Sequence, residues 1–273
     1  MSAKMEKRRL GLALGGGGAR GLAHIGVLEV LEREGITIDM IAGTSIGAII
    51  GALYARGKSA DQIRRLALDM GWRRLAPLLD LALPKTGFFA GRRLREQLRS
   101  VIGDAGFGEL KIPLACVATD IMTGDEVVLS EGPVLEGVLA SISLPVIFKV
   151  TKWRDRYLVD GGLVNPVPVS PLKKMGADSI IAVNVIPNPG EKRGPPEKST
   201  RVKEPNIFHI IMQLINIPAH QIVKSSLSGA DVIIEPRMEG IGFGDFGHAR
   251  ECIRRGQLAA QESIPEIKRL LAN

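Results

Sequence analysis

The chain has 273 residues, 36 Lys plus Arg against 29 Asp plus Glu for a formal charge of +7, with 24% charged and 45% hydrophobic residues. That balance excludes disorder over most of the chain, and 32 glycines without a Gly-X-Y period exclude collagen while calling for many tight turns or close backbone approaches. The basic residues are scattered and aromatics make up only 4%, which argues against a nucleic-acid partner and makes an anionic lipid surface the better match for the positive charge.

Cys116 and Cys252 are too few for a disulfide framework, and each lies in an apolar setting that suits a buried free thiol in a reducing compartment. The N-terminal charges followed by Leu10 to Leu14 imitate a signal peptide, but the glycines at 15–18 and Arg20 cut the apolar stretch short, so the chain is placed in the cytoplasm. The longest uncharged runs are 40–55, with three glycines, and 205–223, broken by Asn, Gln, His and Pro218. Neither reads as a membrane span.

Taken in chain order, Arg9 to Gly15 is a short strand that enters Gly15-Gly16-Gly17-Gly18-Ala19-Arg20-Gly21. Ala23, Val27, Leu28, Val30 and Leu31 then recur at helical spacing up to Gly35. A second strand over Ile36 to Ala42 enters Gly43-Thr44-Ser45-Ile46-Gly47, which opens a small-residue helix to about Arg56. Ser59 with Gln62 forms a capping-box pattern, Arg92 to Ile102 is an amphipathic helix, and residues 75–90 form a loop suited to covering something. Strands follow over Pro113 to Thr119 and Glu126 to Leu129, a helix over Val134 to Ser143, and a strand at Tyr157 to Val159 that ends in Asp160-Gly161-Gly162. Two further strands lie at Ser179 to Ile186 and Asp231 to Glu235, and 187–205 is a solvated, mobile loop. Strands alternating with helices imply a mostly parallel sheet covered on both faces, within one domain.

The chemistry concentrates at three turns. A serine on a sharp strand-to-helix turn needs small neighbours so that the backbone can bend and its Oγ protrude, and Gly43-Thr44-Ser45-Ile46-Gly47 meets that need. The helix that starts there offers unpaired N–H groups and a positive dipole end to a developing oxyanion. Gly16-x-Gly18-x-x-Gly21 after a strand also satisfies a dinucleotide fingerprint, with Asp39 near the place for a ribose-binding carboxylate. A hydrolase explains both loops together: residues without Cβ let the amides of Gly17 and Gly18 approach a substrate carbonyl. The base is Asp160, at a strand end expected to share the carboxyl edge of the sheet with Ser45. Partial burial is required to raise its basicity. His24, His209, His220 and His248 sit in uninformative settings, and His248, after a glycine-rich loop, is the alternative base of a Ser-His-Asp triad.

Gly16-Gly17-Gly18-Ala19-Arg20-Gly21, Gly43-Thr44-Ser45-Ile46-Gly47, Ala140-Ser141-Ile142-Ser143-Leu144-Pro145 and Asp160-Gly161-Gly162, in that order over residues 8–186, resemble the bacterial patatin-like phospholipase family. The resemblance implies a three-layer α/β/α sandwich and a Ser-Asp dyad acyl hydrolase acting on lipid esters. In it Ser45 is the nucleophile, Asp160 the base, and the amides of Gly16, Gly17 and Gly18 the oxyanion hole, with no metal and no cofactor. Arg20 either contacts an anionic head group or braces the glycine loop. A catalytically weak lipid-binding or regulatory module on the same fold is the alternative. Residues 206–273 are expected to be a helical extension with one strand. The apolar face at Ile207, Ile210, Ile211, Leu214, Ile215 and Ile217 suits core or the interface of a homo-oligomer, or else peripheral contact with a membrane. With residues 75–89 it marks where an acyl-chain pocket or lid is expected.

Overall fold

The computed structural model describes residues 8–69, 87–89, 91–186 and 207–272. The covering loop expected at 75–90, apart from the strand Gly87–Phe89, and the connection at 187–205 lie outside the described residues.

Fully buried, apolar segments form the parallel centre of one sheet: β1 (Leu10–Leu14), β2 (Met40–Thr44), β4 (Leu114–Asp120) and β9 (Ser179–Val183), with β10 (Val232–Ile234) beside β9. Near-continuous burial is what a strand covered on both faces requires. Hydrogen-bonded pairing runs β10 to β9 to β1 to β2 to β4 to β8 to β7, with β5 (Glu126–Leu129) also pairing to β4. β5, β7 (Thr151–Trp153) and β8 (Arg156–Asp160) are antiparallel, so the sheet is mixed. β3 (Gly87–Phe89) and β6 (Val146–Phe148) make a separate parallel pair.

Side chains alternate between two apolar layers. Leu10, Leu12, Leu14, Ile41, Cys116 and Ala118 face a large cluster built with α1 (Ala23–Arg33), α2 (Ile46–Ala55), α5 (Val134–Ser141) and α8 (Ala249–Ala272). Ala13, Met40, Ala42, Ala115 and Ala182 face a smaller one closed by Val169 and Leu172 of α6 (Val169–Lys174) and by Val223 of α7 (Ile207–Ser226). This is the expected three-layer sandwich. α3 (Ala60–Asp69) carries the predicted capping box, with Ser59 and Gln62 exchanging hydrogen bonds of 2.9 and 3.2 Å, and α4 (Arg92–Ile102) spans the predicted range. α5 stops two residues earlier than expected, ahead of Leu144-Pro145, where a residue preceding proline is pushed out of the helical region.

The arrangement around β4 differs from expectation in a way that builds the site. β2 runs parallel to β4 with Thr44 opposite Val117, whereas β8 runs antiparallel to it with Asp160 opposite Ala118. β5 occupies the other edge of β4 over Cys116 to Thr119. A strand has two hydrogen-bonding edges, so β2 and β8 share one of them and meet end to end. Asp160 therefore faces Ser45 across the junction of two opposed strands, rather than along the carboxyl edge of a parallel sheet.

Candidate active site

Ser45 connects β2 to α2 with φ 55° and ψ −123°, a conformation that a residue bearing Cβ rarely adopts. Two other non-glycine residues among those described have positive φ, Val146 and Arg154. The bend is enforced by close approach. A Cβ on Gly47 would fall onto the carbonyl oxygen of Leu14, and one on Gly43 would lie 2.6 Å from the Ala48 backbone. The Ser45 carbonyl accepts the first helical bond from Ala48 at 2.9 Å. The Ser45 N–H donates to Ser141 Oγ at 2.9 Å, and that hydroxyl donates to the Val117 carbonyl at 2.6 Å.

Ser45 Oγ donates to Asp160 Oδ2 at 2.6 Å, across 115 positions of sequence. The other carboxylate oxygen accepts from the Gly162 N–H at 2.8 Å. The backbone of Asp160 is pinned as well: its N–H donates to the Ser143 carbonyl, and its carbonyl accepts from Thr119 Oγ1, both at 2.9 Å. Ser45 is 7% and Asp160 2% exposed. Burial pushes the Asp160 carboxyl up to about 6, against the opposing pull of its bonds to Ser45 and Gly162.

The glycine loop lies against this pair. The position of a Cβ on Gly16 is 3.4 Å from Ser45 Cβ, and Gly21 packs against Ile46 so tightly that a side chain there would collide. The loop is anchored from several directions, with Gly15 N–H donating to the Val183 carbonyl at 3.1 Å and Gly16 N–H to that of Pro166 at 2.9 Å. Ala19 N–H donates to the Phe243 carbonyl at 2.8 Å. Gly17 and Gly18, at φ 157° and 59°, lie between these anchors.

A family model described as "Patatin-like phospholipase" matches residues 12–173, which contain all of these turns. The chain belongs to the patatin-like phospholipase family. It is 36% identical over 199 residues to an uncharacterized NTE family protein of Mycobacterium bovis, covering 73% of this chain and 53% of that one. It is 38% identical over 184 residues to Lysophospholipase nte1 of Aspergillus fumigatus, covering 65% of this chain and 12% of the relative. The chain thus spans about half, or much less, of the length of these relatives. VipD from Legionella pneumophila shares the fold, with a TM-score of 0.64 at 12% identity over 96% of this chain and 67% of that one.

The remaining candidates of this patatin-like chain fall into clear places. Arg20 is buried, and its Nε donates to the Gly17 carbonyl at 3.2 Å; burial lowers its pKa to about 10, opposed by the nearby Cys252. His24 lies under the glycine loop, with Nε2 2.7 Å from the Gly15 carbonyl oxygen. Burial holds it down to about 4, so the ring is neutral and Nε2 carries the proton toward that acceptor. Its Nδ1 is buried without a partner. His248 is exposed and contacts Asp245 through its backbone, and the hydroxyl of Ser45 bonds to Asp160, not to a histidine. His220 is half-buried on α7, lowered by burial and by the positive charge of Arg20, and the side chain of His209 lies outside the described residues. Both cysteines are free and buried. Ile210, Leu214 and Ile217 are exposed on α7, and among the described residues no helix is long and apolar enough to cross a membrane. Nor is any metal-sized group of His, Cys, Asp and Glu gathered among them.

Reading the turns one by one missed the clamps behind the site: Ser141 on the Ser45 amide, Thr119 on the Asp160 carbonyl, and Thr44 Oγ1 donating to the Asn165 carbonyl at 2.9 Å. The signal available for Ser141 is a hydroxyl that directly follows the apolar run Val138-Leu139-Ala140, since a buried hydroxyl needs partners.

Proposed function

We propose that the chain is a carboxylic ester hydrolase acting on lipid acyl esters, with Ser45 as nucleophile and Asp160 as general base. One observation carries the reading: the hydroxyl of a strained elbow serine donates 2.6 Å to a buried carboxylate, beside a glycine loop. Asp160, with its proton affinity raised by burial, accepts the Ser45 proton as Oγ attacks the acyl carbonyl. The same proton passes to the departing alkoxide, leaving an acyl-serine and a free alcohol. Water then gives a proton to Asp160 and attacks the acyl-serine, and the proton returns to Ser45 as the acid departs.

The oxyanion is assigned to the amides of Gly17 and Gly18, because the Gly16 amide is already donated to the Pro166 carbonyl. Gly16 becomes an anchor of the loop. Arg20, bonded to the Gly17 carbonyl, is assigned to bracing that peptide. The lysophospholipase name of the Aspergillus relative supports a lipid ester as substrate.

The test is hydrolysis of p-nitrophenyl esters together with labelling by a fluorophosphonate. Ser45→Ala is expected to lose the label and about 10⁴-fold or more in kcat/KM, and Asp160→Asn about 10³- to 10⁴-fold. Wild-type activity is expected to fall as pH drops through about 6, where Asp160 protonates. Equal hydrolysis by all three proteins would dispose of this reading, whereas negligible turnover by wild type itself would favour the lipid-binding module. A loss in His248→Ala as large as in Asp160→Asn would replace the dyad by a triad.

A further inference from the structure

The segment 240–248 lies outside residues 12–173 matched by the family model, yet it reaches the glycine loop. α8 crosses α1 at Gly26 and Gly256, where a Cβ would collide with the carbonyls of Ile253 and Ala23. Gln257 and Lys268 of α8 bond to Glu29 and Glu34 at 2.6 and 2.7 Å, which ties the crossing further. The loop ahead of α8 is pinned at one end by buried Ile241 and at the other by buried Ala249. Between them it is folded on itself, with Gly242 N–H donating to Asp245 Oδ2 at 2.6 Å and His248 N–H to the Asp245 carbonyl at 2.9 Å. Phe243, flanked by Gly242 and Gly244, is thereby delivered to the glycine loop.

Phe243 meets that loop twice. Its carbonyl accepts the Ala19 N–H at 2.8 Å. Its ring stands against Gly18, where a Cβ would lie 2.7 and 2.8 Å from Cδ1 and Cε1 and would also strike the Phe243 carbonyl oxygen. The opposite side of the loop is closed by Val185, whose Cγ2 is 2.8 Å from the Cβ position of Gly17. Phe243 is half-buried rather than lost in the core.

From this placement we infer that Phe243 is a specificity-determining residue, its ring forming the wall that the first carbons of the acyl group meet and admitting unbranched acyl esters over those branched next to the carbonyl. The inference rests on the assignment of Gly18 as an oxyanion donor. A carbonyl oxygen held at that amide brings its own α-carbon within a few ångströms of whatever lines Gly18, because the oxygen and the α-carbon share one atom. A flat aromatic face beside a backbone donor accommodates a CH₂ and excludes a second methyl. Distal acyl carbons lie farther away, so the ring discriminates by branching rather than by length.

The experiment measures kcat/KM for p-nitrophenyl butyrate and p-nitrophenyl isobutyrate in wild type, Phe243→Ala, Phe243→Leu and Ser45→Ala. The ratio of the two substrates cancels the fraction of active protein, so a partly unfolded variant still reports. Removal of the ring in Phe243→Ala is expected to raise the isobutyrate-to-butyrate ratio at least fivefold, with Phe243→Leu between the two. A ratio within twofold of wild type in both variants, while Ser45→Ala is inactive, overturns the role of Phe243 and leaves the hydrolase reading intact. Hydrolysis by Ser45→Ala at the wild-type rate overturns the hydrolase reading and this inference with it.

Discussion

The two turns that flank the Ser45–Asp160 pair are held in different ways. The elbow at 43–47 is constrained sterically at its own two glycines: Gly43 leaves no room against Ala48 and Gly47 none against Leu14, α2 starts at once, and the strain is concentrated in the single φ of Ser45. The glycine loop at 15–18 is held from without, by Val183, Pro166, His24 and Phe243, which are scattered from residue 24 to residue 243. A self-contained turn tolerates little change in its own residues. A loop braced by distant partners is sensitive to positions far away in sequence, and each single brace contributes less.

The sharpest break of this comparison is a Cβ in each turn. Gly47→Ala forces a methyl into the Leu14 carbonyl at the heart of the sheet, and roughly 3 kcal/mol or more of stability should go with it, read as a lower denaturant midpoint. Gly18→Ala, at φ 59°, would meet the Phe243 carbonyl and ring, but the partly exposed 242–248 segment can yield where the sheet cannot, so it should cost less stability than Gly47→Ala and lower kcat about 100-fold by displacing a proposed oxyanion donor. Equal stability losses in the two variants would erase the distinction drawn here.

The elbow and the glycine loop each rest on a buried titrating group, and the two respond to acid with opposite signs. Asp160 has its folded value raised from 3.8 to about 6, so between those values the native state holds the extra proton and stability from this group grows as pH falls. His24 has its folded value lowered from 6.5 to about 4, so over that window the unfolded chain holds the extra proton and stability is lost as pH falls. Each shift corresponds to about 3 kcal/mol, and between about pH 4 and 6 they nearly cancel. Asp160→Asn should therefore be inactive yet at least as stable as wild type at pH 7.5. It should lose stability on acidification to pH 4 more steeply than wild type, as urea titrations at both pH values would reveal. Parallel acid profiles for the two proteins would mean that burial shifts one of these groups far less than the geometry requires.

The same contrast explains what could be read from the amino acids alone. The elbow was legible because its requirements are local: small residues at 43 and 47 around Ser45, between an apolar strand and a helix. The alternation of strands and helices likewise pointed to a sheet covered on both faces. The glycine loop was visible as a loop, but which amides are free depends on Pro166 and Phe243, whose approach no local pattern announces. Asp160 was selected from its strand end and its two glycines, on the premise of a parallel neighbour. The actual route is β8 running back along β4, a matter of pairing partners that periodicity does not encode.

The smallest expected effect probes one of the hydrogen bonds that reach the elbow from outside. Ser141 Oγ accepts from the Ser45 N–H and donates to the Val117 carbonyl, on the strand where β2 and β8 meet. Ser141→Ala leaves a buried donor and a buried acceptor unpaired, at a cost of about 1 to 3 kcal/mol. Because the lost bond holds the backbone of the proposed nucleophile and not the substrate, kcat should fall roughly tenfold with KM unchanged, as a small misplacement of a reacting atom predicts. A lower melting temperature with kcat untouched would show that steric enforcement by Gly43 and Gly47 alone keeps Ser45 in place, and the elbow would be more self-sufficient than its hydrogen bonds suggest.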